Sequence, residues 1–212
     1  MPVALEVVRK RRVELLLRVA FFLGVMGCGY LVLYIGLPPR RGDASPQRQR
    51  WQALMERLTS GVRIEPGRWR MIVIHHSATA QGNAARFHEY HLYENGWEGG
   101  LGYHFVIGNG HGSGDGEIEI GWRWPAQEQG IHVRGYNAGA IGICLVGNFE
   151  ETLPTKAQMQ ALLRLVRCLT DLCGLGPSAV RLHGDLVATA CPGRHFPAEV
   201  FRAALAAPPP AD

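Results

Sequence analysis

An uncharged run near the amino terminus limits where this chain can build a globular fold. Residues 19–37 read VAFFLGVMGCGYLVLYIGL, nineteen residues without a charged side chain. A helix rises 1.5 Å per residue, so the run would span about 28 Å, close to the roughly 30 Å hydrocarbon core of a bilayer. Basic residues flank both ends, and no polar face interrupts the run as it would in a buried amphipathic helix. The pattern predicts one transmembrane signal anchor over 19–37.

The fate and orientation of this anchor are not fixed by the sequence. The run is longer than most signal-peptide cores, and no small-residue cleavage site follows it, which favours an uncleaved anchor. Lipidation at Cys28, within VMGC, and processing of the anchor both stay open. Basic residues are nearly equal in number on the two sides, so the positive-inside rule does not orient the segment.

Charge separates the amino-terminal third from the rest of the chain. Residues 1–18 carry five basic and two acidic side chains, and residues 38–70 carry eight arginines and three acidic side chains. The formal net charge of the whole chain is only +4, so the remainder is mildly acidic. We predict a basic segment over 1–18 and an Arg/Pro-rich linker over 38–70, with a short helix near 51–58. Nucleic acid is not an expected partner, because the basic residues lie outside the predicted domain.

Strand and helix patterns alternate after residue 70. Short apolar or alternating runs predict strands at 71–78, 102–108, 117–122, 140–147 and 179–183, and helical patterns occupy 83–96 and 155–174. Thr155 can cap the longer helix and Gly174 can end it. The run AIGICLVG is almost wholly apolar, which is typical of a central strand. The expected fold class is α/β: a single domain over 71–205 with a central mixed β-sheet flanked by helices, then a Pro-rich tail over 206–212.

The segment HGDLVATACPG, residues 183–193, carries a histidine and a cysteine whose roles the spacing does not settle. Cys191 fits a disulfide, a nucleophile, a metal ligand or a small buried residue. Five cysteines without even spacing do not form a disulfide framework, although the disulfide state of Cys168 and Cys173 stays open. His75 and His183 each end a predicted strand, so with Cys191 they can supply the three ligands of a zinc site. Spacing alone does not select these two from nine histidines.

Five sequence blocks in a fixed order narrow the possible roles of these histidines and of Cys191. They are IVIHHSAT (72–79), GYHFVIG (102–108), NAGAIGICLVGNFE (137–150), PTKAQMQAL (154–162) and HGDLVATACPG (183–193). Together they resemble the zinc-dependent N-acetylmuramoyl-L-alanine amidases, the family shared by phage T7 lysozyme and the peptidoglycan recognition proteins. The resemblance covers about residues 70–197, and the ordered set is far more specific than any single block.

The resemblance implies a zinc ion held by three side chains. The first histidine of the IVIHHSAT block is a ligand in the family, which is His75 here and not His76. The histidine and cysteine of the last block are the other two ligands, His183 and Cys191. Zinc bound in this way lowers the pKa of a water molecule and polarises a carbonyl group.

The resemblance also implies residues that act on the substrate. Tyr103 matches a catalytic tyrosine, and Thr189 matches the residue found in catalytic peptidoglycan recognition proteins; both can stabilise an oxyanion. Trp97, His132 and Asn137 match positions that line the substrate groove. Gly184 departs from the family, in which many members have a basic residue at this position.

Other polar residues of the domain have simpler interpretations. His88 and His91 are predicted to lie on a helix surface or to pack, and His111 is predicted to be solvated in a turn. Strand alternation points His104 away from Tyr103. Asp185 can orient a ligand but is more often a turn former.

The predicted function is hydrolysis of the amide bond between N-acetylmuramic acid and L-alanine in peptidoglycan or a muropeptide. The domain would then face the cell wall, on the extracytoplasmic side of a single-pass membrane anchor. The alternative is a non-catalytic peptidoglycan-recognition module on the same fold. A cysteine hydrolase using Cys191 and His183 ranks last, because ACPG lacks the helix amino terminus that activates a thiol. No particular protein partner is predicted.

Overall fold

Five strands form a mixed sheet in the computed structural model, which describes residues 45–208. The strands are β1 (Met71–His76), β2 (Phe105–Ile107), β3 (Ile118–Ile120), β4 (Ala140–Leu145) and β5 (Val180–Leu182). Their order across the sheet is β3-β2-β4-β1-β5. All neighbouring pairs are parallel except β2 and β3, which are antiparallel. The predicted α/β fold with a central mixed sheet is confirmed.

Strand β4 lies in the middle of the sheet because its sequence is apolar on both faces. All six of its residues are buried. Cys144 pairs with His75 of β1 on one side and with Val106 of β2 on the other. A strand covered on both faces needs apolar side chains in both directions, which explains the near-continuous run AIGICL.

Four α-helices accompany the sheet within residues 45–208. They are α1 (Pro46–Thr59), α2 (Ala84–Glu89), α3 (Lys156–Cys173) and α4 (Ala198–Ala206), and a π-helical turn, Tyr90–Glu94, continues α2. The bounds of α3 agree with the prediction, since Thr155 and Gln158 form a capping box and Gly174 ends the helix with φ of 65°. Apolar side chains on one face of α3, including Leu162, Leu165 and Leu169, belong to the main core.

The structure differs from the predicted linker over 38–70. Helix α1 places Leu54 and Leu58 in the main core, and Trp69 is also buried there. The indole of Trp124 donates a hydrogen bond of 2.9 Å to the carbonyl of Leu58. Leucines four residues apart lie on one helical face, so α1 packs although arginine and glutamine dominate its composition. From Arg48 onward, this segment is part of the domain.

Shortening Leu58 to alanine tests whether α1 belongs to the folded unit. Leu58 is completely buried, so we expect Leu58→Ala to lower the free energy of unfolding by about 2–5 kcal/mol in urea denaturation. Leu153 is 69 % exposed, and Leu153→Ala is the matched control with an effect within about 0.5 kcal/mol. Equal stability of the two variants would mean that α1 is not part of the cooperative unit.

The predicted anchor over 19–37 and the basic segment over 1–18 lie outside the described residues. Within residues 45–208, no helix is both long enough and apolar enough to cross a bilayer.

Candidate metal centre

Two imidazoles and one thiol meet at the carboxyl end of β1 and β5. His75 lies in β1, His183 begins the 3-10 turn that follows β5, and Cys191 closes the loop after that turn. The two strands are parallel neighbours, and Ile74 lies opposite Leu182. The next residue of each chain segment, His75 and His183, therefore lies at the same edge of the sheet. The potential ligand atoms of His75, His183 and Cys191 all lie within 4.8 Å of one another.

The spacing and chemistry of these donors fit a zinc ion. Nδ1 of His75 lies 3.1 Å from Nδ1 of His183 and 3.8 Å from Sγ of Cys191. With zinc bonds of about 2.0–2.1 Å to nitrogen and about 2.3 Å to sulfur, tetrahedral ligation sets nitrogens about 3.4 Å apart and nitrogen and sulfur about 3.6 Å apart. Both observed distances lie close to these values. Three nitrogen and sulfur donors with a fourth position left for water are typical of catalytic zinc sites.

Backbone hydrogen bonds hold Cys191 beside His75. The backbone N–H of His76 donates to Sγ of Cys191 at 3.4 Å, and the N–H of Gly184 donates to the Cys191 carbonyl at 2.9 Å. Asp185 accepts the N–H of Leu182 at 2.8 Å and forms an ion pair with Arg202. Asp185 therefore shapes the turn between His183 and Cys191, in line with the simpler of its two predicted roles.

Burial sets the protonation of the three donors before a metal binds. It raises the pKa of the Cys191 thiol to about 11, so this group is protonated at neutral pH. Burial, together with the neighbouring His132 and His183, holds the pKa of His75 well below 6.5, and burial also lowers the pKa of His183. Both imidazoles are neutral at pH 7 and available as ligands, while the thiol must lose a proton.

Zinc affinity is therefore expected to depend on pH through Cys191. Below a thiol pKa of about 11, the thiolate fraction grows tenfold with each pH unit, so apparent affinity should rise at least about tenfold per unit between pH 7 and 9. Ligation by Cys191 should release one proton per zinc at pH 7, because the thiol is protonated beforehand, and ionisation of the zinc-bound water adds to this release. Chelator competition and calorimetry in two buffers measure the two quantities. A pH-independent affinity with no proton release would exclude Cys191 as a ligand.

Tyr103 lies against the histidine ligand of β1. Its ring centroid is 5.4 Å from that of His75 and 5.6 Å from that of His91. Burial and the nearby Cys144 and Cys191 thiols raise the pKa of Tyr103 well above 10, so the phenol keeps its proton and can donate a hydrogen bond.

His104, the next residue, is turned away from Tyr103 as strand alternation predicts. Its Nδ1 accepts the N–H of Gly142 at 2.9 Å, and its Nε2 lies 2.9 Å from the carbonyl of Glu128. Its ring also packs edge-on against Trp69, with centroids 4.9 Å apart. His104 is thus a core residue with both ring nitrogens used.

Thr189 stands on the exposed side of the loop. Its Oγ1 accepts the N–H of Cys191 at 3.2 Å. A hydroxyl both accepts and donates, so the Thr189 proton is still available to a group bound beside Cys191. This position is compatible with the predicted oxyanion contact.

A cavity of about 510 Å³ adjoins Tyr103. Its lining includes Ser77, Thr79, Arg86, Tyr90 and His91. This volume is in the range of small-molecule sites. Arg86 and Tyr90 were not among the predicted site residues, although their spacing of four residues puts them on one face of a helix.

The predicted substrate contacts occupy different places. The Trp97 ring packs on His91 with centroids 4.5 Å apart, and it is only partly buried. His132 instead lies behind His75, with its Nδ1 3.1 Å from Nε2 of His75. Asn137 accepts the backbone N–H groups of His132 and Val133 through its side-chain oxygen. Neither His132 nor Asn137 lines the cavity beside Tyr103.

Three further histidine rings accept backbone hydrogen bonds. His88 and His91 each accept a backbone N–H group, from Leu101 and Gly102 respectively. His76 accepts the N–H of Phe149 at 3.1 Å. His111 is exposed in the turn before β3. These positions agree with the packing and solvent-exposed roles predicted for His88, His91 and His111.

Comparisons with known proteins point to one family. The family model described as N-acetylmuramoyl-L-alanine amidase matches residues 65–194. An endolysin of Enterobacteria phage T3 is 36% identical over 128 residues, covering 57% of this chain and 78% of the endolysin. An N-acetylmuramoyl-L-alanine amidase of Sus scrofa is 33% identical over 118 residues, covering 55% of this chain but only 18% of the pig protein.

A solved structure supports the same assignment. The N-acetylmuramoyl-L-alanine amidase LysC from Clostridium intestinale superposes with a TM-score of 0.58 and 36% identity, covering 65% of this chain and 85% of LysC. Insect peptidoglycan-recognition proteins are also among the similar sequences. The family model covers more than half of the chain and includes all three clustered donors. The chain therefore belongs to the N-acetylmuramoyl-L-alanine amidase family.

Proposed function

We propose that this protein is a zinc-dependent amidase that hydrolyses the bond between N-acetylmuramic acid and L-alanine in peptidoglycan or muropeptides. The observation that carries the proposal is the convergence of His75, His183 and Cys191 beside Tyr103 and an open cavity. The family description and the amidases among the relatives support this substrate class. The chain matches only 18% of the pig amidase, so the proposal concerns the shared domain and not the whole mammalian protein.

The side chains around the cluster have distinct tasks in this reaction. His75, His183 and Cys191 would hold the zinc ion. When bound, zinc lowers the pKa of a water molecule and polarises the amide carbonyl. Tyr103 keeps its proton and donates a hydrogen bond where negative charge develops on the carbonyl oxygen. Thr189 donates to the same oxygen from the exposed side of the loop.

Recognition of peptidoglycan without cleavage is the second candidate. The peptidoglycan-recognition proteins among the relatives favour it. A purely binding module has no need of a complete set of metal donors next to a half-buried, protonated tyrosine. The intact cluster therefore supports hydrolysis over recognition alone.

Membrane anchoring is a separate part of the proposal. It rests on the uncharged run over 19–37 and on the location of peptidoglycan outside the cytoplasmic membrane. The amino terminus then lies in the cytoplasm and the domain faces the cell wall. Protease treatment of intact spheroplasts tests this arrangement, because a domain protected from protease would contradict it.

Mass spectrometry of the soluble products separates the two candidate functions. The full chain, purified in mild detergent with zinc, is incubated with purified peptidoglycan. Hydrolysis releases peptides with a free amino-terminal L-alanine and leaves the lactyl carboxylate on the glycan. Co-sedimentation with peptidoglycan without peptide release would support recognition alone. New reducing sugar ends, or neither binding nor release, would overturn the proposal.

A further inference from the structure

His132 forms a chain of contacts that ends at the metal cluster. Its Nε2 lies 3.3 Å from the carbonyl oxygen of Ala140, and its Nδ1 lies 3.1 Å from Nε2 of His75. The opposite nitrogen of His75, Nδ1, faces His183 and Cys191. One carbonyl in the central strand is thereby connected through two imidazole rings to the cluster.

The carbonyl at the start of this chain determines the direction of every hydrogen bond in it. A carbonyl oxygen can only accept, so Nε2 of His132 carries a proton and donates to Ala140. A neutral imidazole has one donor and one acceptor nitrogen, so Nδ1 of His132 accepts from Nε2 of His75. His75 therefore carries its proton on Nε2. The lone pair of His75 then lies on Nδ1, toward the cluster.

We propose that His132 is a positioning residue that fixes His75 as the tautomer with an unprotonated Nδ1 and so presets the site for zinc. The inference rests on the proposed zinc function and concerns a residue that does not line the cavity beside Tyr103. A metal-ligating histidine usually donates its second N–H to a carboxylate, a carbonyl or water. Here the acceptor is a second histidine, His132, which itself donates its other N–H to the backbone carbonyl of Ala140.

The surroundings of His132 hold its ring in one orientation. Its backbone N–H donates to Oδ1 of Asn137 at 2.9 Å, and that oxygen also accepts the N–H of Val133. Glycines at 130 and 142 leave the space that the ring fills. A Cβ atom at Gly142 would lie 2.6 Å from Cδ2 of His132, and one at Gly130 would lie 2.3 Å from the same atom. Because these contacts fix the His132 ring, its Nδ1 stays directed at His75 and can determine which nitrogen of His75 carries the proton.

The tautomer of His75 can be observed without any metal. The full chain is labelled with ¹⁵N-histidine, zinc is removed, and the ring nitrogens are assigned through single substitutions of His75 and His132. We expect the His75 signals of a neutral ring protonated at Nε2 and bare at Nδ1. A His75 ring protonated at Nδ1, or an equal mixture of tautomers, would overturn the inference, whether or not the protein binds zinc.

Two substitutions of His132 test the consequence for metal binding. His132→Phe keeps an aromatic ring but removes the acceptor, and we expect zinc affinity to fall about 10–100-fold in chelator competition. His132→Asn places an oxygen near the Nδ1 position, and we expect it to recover most of that loss. His111→Phe, in the exposed turn, is the matched control with unchanged affinity.

The outcomes separate this inference from the proposed function. Wild-type protein that binds no zinc would contradict the function and leave the metal-free tautomer as the test of His132. Wild-type protein that binds zinc with the same affinity as a folded His132→Phe variant would overturn the positioning role. An equal loss of zinc affinity in His132→Phe and His132→Asn would also overturn it. The affinity would then not depend on a hydrogen-bond acceptor at this position.

Discussion

Cys191→Ala is expected to lower zinc affinity about 10²–10³-fold and to reduce peptide release in proportion. Apparent binding energies of about 10–16 kcal/mol for four-ligand zinc sites correspond to about 2.5–4 kcal/mol per ligand. Removal of the thiolate leaves only His75 and His183 from the protein. Zinc content after dialysis against a weak chelator and the rate of stem-peptide release measure the two effects in the same preparation.

Cys173→Ala is the matched control for this substitution. Both thiols are partly buried, and burial raises the pKa of each to about 11. Cys173 lies at the end of α3 and packs against the main core, whereas Cys191 lies beside His75. We expect full zinc occupancy and activity in Cys173→Ala. Full occupancy in Cys191→Ala would contradict the ligand assignment.

Tyr103→Phe is expected to slow the reaction about 10²–10³-fold while zinc occupancy stays at the wild-type level. The change removes one hydroxyl, and loss of a single donor to a developing oxyanion has an effect of this size. The phenol can act as this donor because burial raises its pKa well above 10. The measurements are kcat on a soluble muropeptide and zinc per chain.

Tyr93→Phe controls for loss of a tyrosine hydroxyl elsewhere in the domain. Tyr93 is 75 % exposed and does not line the cavity beside Tyr103. The kcat of Tyr93→Phe is expected to match that of the wild-type protein. If Tyr103→Phe lost zinc together with activity, the hydroxyl would act in assembling the site; an unchanged kcat would exclude Tyr103 from catalysis.

Local sequence signals predicted those parts of the fold that local interactions determine. Helix α3 begins at a side-chain cap on Thr155 and ends at a glycine with positive φ, and both features are visible within a few residues. Strand β4 is recognisable because a central strand must be apolar on both faces. Such elements need no knowledge of distant parts of the chain.

The candidate site depends on contacts between distant residues and was not predictable from spacing. His75 and His183 are 108 residues apart, and only the parallel pairing of β1 and β5 brings them together. The family resemblance selected them among nine histidines. It did not anticipate that His132 contacts His75, because that position depends on the space left by glycines at 130 and 142.

Helix α1 was missed as a core element for a related reason. Its composition is dominated by polar residues, and only two buried side chains, Leu54 and Leu58, mark its packing face. Whether such a sparse face packs depends on an apolar partner surface elsewhere in the fold. Trp124, with its indole donating to the Leu58 carbonyl, is part of that surface.

Titration of zinc into metal-free protein tests the central claim most directly. The full chain is stripped with a chelator, zinc is added in steps, and stem-peptide release from purified peptidoglycan is followed. We predict that activity is absent at the start, rises in proportion to bound zinc and reaches a plateau at one ion per chain. Peptide release that persists without zinc, or full zinc binding without any release, would contradict the account.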